Sequence, residues 1–230
     1  MKLFLMLMIA SFSYIYAGVI ATVEELQGNI KVKVANSIKK TKIKKGYEIQ
    51  EGDILSSYKD SYAKIVLTDN STLVLDADSI VRFKKLSQLQ QDQGRIYYKI
   101  TSKKAKNSLQ VKTDFAIIGI KGTTFIIKAG EEDEVLLQEG VVGINSIKKA
   151  FELYRKKVHA EFKDFKTKQM QGFEEYKSAY SGYEKVISTS SFDLEKQNKL
   201  RFDDNIVKED SFEIDDYQEF KYFEKLIDEI

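Results

Sequence analysis

The sequence predicts a mainly β protein, with a β-sandwich or jelly-roll-like domain followed by a C-terminal α-helical extension. Between residues 18 and 145, apolar residues recur mostly at every second position, in short runs separated by small polar clusters, which is typical of half-buried strands. From Ser146 onward they recur every three or four positions, as on one face of a helix. Proline is absent, so the turns depend on Gly, Asn, Asp and Ser.

Residues 1–17 have the organisation of a signal peptide. Lys2 supplies the positive charge, residues 3–10 form the apolar stretch, and Ala17 is a small residue suited to the cleavage position. The alternative is an uncleaved anchor, because residues 3–21 are nearly long enough to span a bilayer. In both cases we expect the rest of the chain to lie in the periplasm or at the cell surface. After signal cleavage we expect no integral membrane segment.

Composition excludes several classes of function. The chain has no cysteine, so disulfides, thiolate metal sites, a cysteine nucleophile and a lipoprotein anchor are ruled out. Residues 18–150 hold 22 Lys and Arg against 16 Asp and Glu, whereas residues 151–230 hold 14 against 19. Neither excess is large enough for a nucleic-acid-binding surface, so we expect no nucleic-acid partner.

The β region is predicted as about ten strands joined by short turns. The residue pair Asn70-Ser71 after Asp69 predicts a hairpin, because Asn and Asp tolerate left-handed backbone. Residues 37–45 are rich in lysine and are predicted as a hairpin edge, where lysine discourages edge-to-edge pairing. The predicted strands are residues 19–24, 30–34, 46–55 (broken by a Gly-Asp turn), 63–67, 72–75, 80–83, 94–100, 109–113, 116–118, 124–127, 134–138 and 141–144.

Six short motifs in this region occur in the order found in one known family. They are Gly46 with Gly52-Asp53-Ile54, the hairpin of residues 63–71, Gly94-Arg95-Ile96, Val111-Lys112-Thr113 with Ala116, residues 122–127, and residues 138–142. Together they resemble the FecR domain, the periplasmic sensing module of iron-citrate-type signalling systems, over residues 18–145. The resemblance implies a β-sandwich of jelly-roll type with no catalysis of its own. Asn70 stands where the family usually has Gly.

One feature of the regulatory members of this family is not expected here. Those that control sigma factors carry a long cytoplasmic segment before a single membrane helix. In this sequence only Met1 and Lys2 precede the apolar stretch. We therefore expect an exported member that lacks the anti-sigma segment.

No residue set predicts a catalytic, metal or cofactor site. Gly122-Thr123-Thr124-Phe125 is interpreted as a turn with a positive φ at Gly122 and a core role for Phe125, in preference to a ligand-binding loop. Residues 131–134 (Glu-Glu-Asp-Glu) are interpreted as a solvated hairpin tip, in preference to a cation site. Asp76 and Asp78 are interpreted as turn residues, with a shared cation as the alternative. His159, the only histidine, is expected on a helix surface.

The C-terminal part is predicted as two helices joined by a linker. A long amphipathic helix is expected over residues 146–187, with Ser146 as its N-cap and a coiled-coil-like aromatic seam. Residues 188–210 are expected to form a linker, and residues 211–230 an acidic amphipathic helix. The seam either packs within the molecule or forms a partner surface.

The sequence therefore predicts an exported, non-enzymatic protein-interaction or signalling module with no cofactor. Its expected partner is another envelope protein, or a second copy of the chain, bound through the aromatic seam. The first alternative is an envelope protein that binds a small ligand or carbohydrate. The second is an envelope hydrolase with paired carboxylates. The ligand-binding residues are left open.

Overall fold

The computed structural model describes residues 18–101, 109–156 and 183–228. Among these residues, nineteen strands and one helix are formed, so the predicted mainly β class with a C-terminal helix is confirmed. The strands are β1 Val19–Gln27, β2 Ile30–Lys33, β3 Lys40–Lys42, β4 Glu48–Gln50, β5 Ile54–Ser57, β6 Tyr62–Leu67, β7 Thr72–Leu75, β8 Ile80–Lys85, β9 Gln88–Lys99, β10 Leu109–Lys112, β11 Ala116–Ile120, β12 Thr124–Ala129, β13 Asp133–Glu139, β14 Val141–Ser146, β15 Phe151–Lys156, β16 Tyr183–Thr189, β17 Ser191–Glu195, β18 Asn198–Asp203 and β19 Ile206–Ser211, and the helix is α1 Ile214–Asp228.

The strands form two facing sheets that share β9. Sheet A has the order β4-β1-β6-β7-β9-β12-β13-β18-β19-β15-β16, and sheet B has the order β3-β2-β5-β8-β9-β10-β11-β14-β17. Neighbouring strands are antiparallel except β9 with β10 and β15 with β19. The first half of β9 pairs in sheet B and its second half in sheet A. The bend falls at Gly94, whose φ is +88°.

The core between the sheets follows from the alternation in the sequence. In β6, for example, Ala63, Ile65 and Leu67 are buried, and the residues between them are partly exposed. The hairpin predicted at Asp69 is present. Asn70 has a φ of +65°, and the Asp69 carboxylate accepts a hydrogen bond from the Ser71 N–H at 3.0 Å.

Helix α1 packs on the outer face of sheet A and makes a third layer. Phe220 and Phe223 of the helix lie against Tyr97 and Ile126 of the sheet. The Tyr97 and Phe223 rings are stacked with centroids 5.5 Å apart. The acidic helix predicted over residues 211–230 is thus present as α1. Among the described residues, no helix combines the length and apolar character that crossing a bilayer requires.

The prediction of a long helix over residues 146–187 is wrong at both ends of that range. Ser146 is the last residue of β14 and not an N-cap, and residues 151–156 and 183–189 are strands. The cause is an ambiguity in spacing. Phe151 and Tyr154 fit a helical stripe, but the residues buried in the core are Phe151 and Leu153, which are two apart. Residues 157–182, with most of the predicted seam and His159, lie outside the described residues.

The linker predicted over residues 188–210 is also wrong. This stretch forms β17, β18 and most of β19, and its Leu194, Leu200 and Val207 are buried in the same core. Gln197 and Asp204 make its turns with φ values of +61° and +50°. Sheet formation therefore continues well past residue 145.

Candidate functional site

The Gly122 motif is structural, as predicted from the sequence. Gly122 has a φ of +62° in the turn before β12. Phe125 is buried, and its ring stacks on Tyr98 with centroids 4.7 Å apart. The turn at Gly140, between β13 and β14, packs closely against this motif. A Cβ atom added at Gly140 would lie 2.5 Å from the Thr123 methyl group. Gly122 therefore has the positive φ, and Phe125 the core position, that the sequence predicted.

The acidic run at residues 131–134 was predicted as a solvated hairpin tip, and this is correct only in part. Glu131 and Glu132 are exposed at the tip of the β12–β13 hairpin, whereas Asp133 and Glu134 begin β13 and Glu134 is buried. The Asp133 carboxylate accepts a hydrogen bond from the Gly130 N–H at 3.0 Å. Glu134 pairs with Lys128, whose Nζ lies 3.1 Å from a carboxylate oxygen. These carboxylates thus have partners within the protein. No group of three or more metal-ligating side chains occurs within the described parts of the chain.

Asp76 and Asp78 have different roles. Asp78 is a turn residue with a φ of +53°, as predicted. Two nitrogens of the Arg95 guanidinium donate hydrogen bonds to one carboxylate oxygen of Asp76. The other oxygen of Asp76 accepts a hydrogen bond from the Tyr222 hydroxyl at 3.2 Å. Arg95 also reaches Glu219 of α1 at 2.9 Å. Asp76 therefore helps to hold α1 on the sheet, a role that sequence reasoning did not find.

A small polar cleft, here called the end cleft, opens where several turns meet at one end of the sandwich. Its volume is about 240 Å³. Asp114, Asp133 and Asp204 contribute carboxylates, and Lys148 and Lys149 contribute ammonium groups. The lining side chains come from four separate turns, so no local motif in the sequence could have indicated the cleft.

Within the end cleft, the pKa of Asp133 is raised. Burial is the largest cause, and the negative charge of Asp114 acts in the same direction. The hydrogen bond from Gly130 opposes both, because it stabilises the ionised carboxylate. The cleft can thus hold a polar group, but Asp133 is already engaged in capping its own hairpin.

The second candidate is the outer edge of β16, here called the free edge. Within the described residues, β16 pairs only with β15, and no described strand pairs with its other side. Val186 and Ile187 are 46% and 50% exposed on this edge. Ile187 is paired with Leu153 of β15. Leu153 is buried in the core, whereas Ile187, on the same face of the sheet, is half-exposed.

The other terminal strands of the two sheets differ from β16. Lys40 and Lys42 protect β3, Glu48 protects β4, and Asp193 and Glu195 protect β17 with exposed charges. β16 also contains charged residues, Glu184 and Lys185, but its last four residues, 186–189, read Val-Ile-Ser-Thr and carry no charge. The register of β15 with β16 shifts between Leu153 and Tyr154, and Val186 is the extra residue of this β-bulge. Sequence reasoning missed this surface because it placed these residues in a helix.

The free edge and the end cleft adjoin. Phe151 lines the cleft at the start of β15 and pairs with Thr189, the last residue of β16. One surface at this end of the sandwich therefore combines a polar recess with an apolar, unpaired strand.

Taken together, two facing sheets that share β9, with a helix on the outer face of sheet A, define a β-sandwich module. Residues 53–143, from β5 to the first half of β14, match the family model described as FecR protein. The resemblance predicted from the sequence motifs is confirmed.

Comparison with solved structures finds two crystal structures of a candidate anti-sigma factor from Parabacteroides distasonis ATCC 8503, at 1.65 Å and 2.50 Å resolution. The TM-scores are 0.47 and 0.45, and the sequence identity is 12% in both cases. The alignments cover 69% of this chain and 59% of the other, so this chain spans less than two thirds of that protein. No curated protein matches the sequence.

Proposed function

We propose that this chain is an exported, non-enzymatic module of the bacterial cell envelope that acts by binding another protein, in signalling or in assembly. The FecR domain supports the signalling context, and the signal-peptide-like residues 1–17 support export. The free edge of β16 is the observation that carries the binding function.

Strand addition is the mode of binding that this edge suits. An extended segment of a partner would pair with the backbone of β16, and main-chain hydrogen bonds would supply affinity. Ile187 and Val186 would be covered by the partner's side chains, which supplies specificity and removes apolar surface from water. The partner is another envelope protein or, through the same edge, a second copy of this chain.

The segment between β15 and β16 enters the same proposal. Lys156 and Tyr183, which flank residues 157–182 in the sequence, are paired across β15 and β16. Residues 157–182 are rich in Phe and Tyr, which are frequent anchors of protein interfaces. We therefore include these aromatic residues in the proposed partner surface.

The experiment is cross-linking in intact cells with the full chain, followed by identification of the proteins captured. Ile187→Lys should abolish capture, because it places a charge in the apolar contact. Val141→Lys is the matched control, since Val141 is 51% exposed but lies on β14, between β11 and β17. Equal capture by Ile187→Lys and the unaltered chain would overturn the proposal. Sedimentation of the purified chain distinguishes a second copy from a different partner.

The end cleft favours a second candidate, the binding of a small polar ligand or carbohydrate. Small-molecule sites usually enclose about 300–1,000 Å³ and are mostly apolar. The end cleft is smaller, at about 240 Å³, and three Asp and two Lys residues are among those that line it. Titration calorimetry with envelope glycans tests this candidate. Binding that Asp133→Asn removes, with Ile187→Lys unaffected, would favour the cleft over the edge.

The Asp114 and Asp133 pair is also what the hydrolase alternative requires. Release of new reducing ends from envelope glycans, lost in Asp133→Asn, would favour that alternative. We expect no such release, because the Asp133 carboxylate accepts the Gly130 N–H and is held in the hairpin tip.

A further inference from the structure

Four lysines face one another on the outer side of sheet B. In the β2–β3 hairpin, Lys31 pairs with Lys42 and Lys33 pairs with Lys40. Residues directly opposite on antiparallel strands point to the same face. Ile30 and Val32 point into the core, so all four ammonium groups lie on the outer face, here called the lysine face.

Among the described residues, no carboxylate forms an ion pair with any of the four lysines. Two of the four lysines contact neutral groups instead. The Lys31 Nζ lies 5.0 Å from the centre of the Tyr58 ring and the Lys40 Nζ lies 5.9 Å from it. Lys40 also donates a hydrogen bond to the Ser56 hydroxyl at 3.4 Å. Cation–π contacts hold the positive charges in place without cancelling them.

Protection of an edge strand explains only part of this arrangement. Lysines on β3 prevent pairing with other chains, because β3 is the terminal strand of sheet B. Lys31 and Lys33 are on β2, whose two edges are already paired with β3 and β5. Like charges directly opposite one another destabilise a sheet. Lys31 and Lys33 therefore destabilise the sheet by charge repulsion without protecting an edge, which indicates that they have a function.

Exposed aliphatic residues lie in the turn that joins β2 to β3. Ile38 is 95% exposed and Val34 is 42% exposed. Lys39 and Lys40 follow Ile38 directly. An exposed aliphatic tip beside a cluster of lysines is the combination that binds the interface of an anionic bilayer, where lysines meet headgroups and the apolar side chain enters the acyl boundary. A soluble polyanion would leave Ile38 in water.

We infer that the β2–β3 hairpin docks the protein on an anionic phospholipid surface. This inference goes beyond the proposed partner binding, which uses the free edge of β16 in sheet A. The position of the chain's N-terminal part fits the inference. Val19 at the start of β1 pairs with Gln50, and Gly52 lies so close to Ala35 that an added Cβ would be 2.7 Å from the Ala35 Cβ. The start of β1 thus lies beside the tip of the hairpin.

The test is co-sedimentation of the full chain with phosphatidylcholine vesicles, with and without phosphatidylglycerol. The readout is the excess of binding to the anionic vesicles, since an apolar N-terminal segment would bind both kinds. Each lysine near an anionic surface contributes about fivefold in partition. The combined variant Lys31→Gln, Lys33→Gln, Lys40→Gln and Lys42→Gln should therefore lower the excess roughly 600-fold. Ile38→Ser should lower binding with the charges intact.

Lys121→Gln combined with Lys196→Gln is the control, because both lysines are exposed and lie away from the hairpin. It should change the excess much less than the fourfold variant does. Urea unfolding should show the fourfold variant to be at least as stable as the unaltered chain, because cross-strand repulsion is relieved. Three results would overturn the inference: no excess for anionic vesicles, an excess that survives the fourfold substitution, or binding to polyphosphate in solution without binding to vesicles.

Discussion

Lys199 on β18 and Asp216 in the first turn of α1 form a buried ion pair. The Lys199 Nζ lies 2.9 Å and 3.1 Å from the two carboxylate oxygens. One of these oxygens also accepts the Glu213 N–H at 2.7 Å and so caps the helix. The same carboxylate therefore begins the helix and fastens it to the sheet.

Removing the cation from this pair should destabilise the protein. Lys199→Met leaves a buried carboxylate without its counter-charge, which costs about 3–5 kcal/mol of the free energy of unfolding. Adding Asp216→Asn removes the charge and keeps an oxygen for the cap, so the double variant should recover most of the loss. Urea unfolding followed by circular dichroism measures both. A double variant no more stable than Lys199→Met would contradict the role given to the charge.

Phe223 should be the main apolar anchor of α1. It is fully buried against Tyr97, so Phe223→Ala should lower the free energy of unfolding by about 3–5 kcal/mol through lost burial and a residual cavity. Ile214 at the start of the helix is exposed, and Ile214→Ala should change stability by less than about 0.5 kcal/mol. Hydrogen exchange at β7 and β9 would show whether the sheet loses its cover. Similar effects of the two substitutions would mean that α1 does not pack as described.

Alkaline pH should destabilise the fold through two buried tyrosines. Burial raises the pKa of Tyr98, and it raises the pKa of Tyr97 with help from the charge of Glu224. In the unfolded chain both ionise near pH 10. Above that pH the unfolded state binds fewer protons than the folded state, so stability falls as pH rises toward the folded pKa values. Below about pH 10 these two groups add no pH dependence.

The slope should reach about 1.4 kcal/mol per pH unit for each tyrosine. Tyr97→Phe removes one of the two and should flatten the alkaline slope by about that amount. Urea unfolding between about pH 8 and pH 11 measures it, and other titrating groups cancel in the comparison with the unaltered chain. An unchanged slope would show that Tyr97 ionises freely in the folded protein.

Gly94 and Gly46 should respond differently to alanine, although both have a positive φ. A left-handed conformation costs a non-glycine residue about 1–2 kcal/mol. Gly46→Ala should show only that cost, because no atom lies within 4 Å of the added Cβ. At Gly94 the Cβ would lie 2.4 Å from the Ser79 Cα, so Gly94→Ala should cost clearly more. Thermal unfolding of the two variants compares them directly, and equal losses would argue against the tight bend of β9.

The strands that sequence reasoning found have an alternation with no helical alternative. Residues 30–34 are an example, since apolar residues alternate there with lysine at every second position. Sequence reasoning failed at β15. There Phe151 and Leu153 fit a period of two, whereas Phe151 and Tyr154 fit a period near 3.5. Residues distant in sequence favour the strand over the helix. β15 pairs with β16 and β19, and Leu153 is buried in a core to which strands from both sheets contribute.

By itself, the sequence determined the β class, the hairpin at Asn70, the FecR motifs and the helix that carries Phe220 and Phe223. These are local properties, set by side-chain period and by the backbone that each turn residue tolerates. Only the tertiary structure decided that Lys31 faces Lys42, that the end cleft exists and that β16 is, among the described strands, the last of its sheet. Each of these depends on which strands become neighbours and in what register, and that is settled by burial of the complete core.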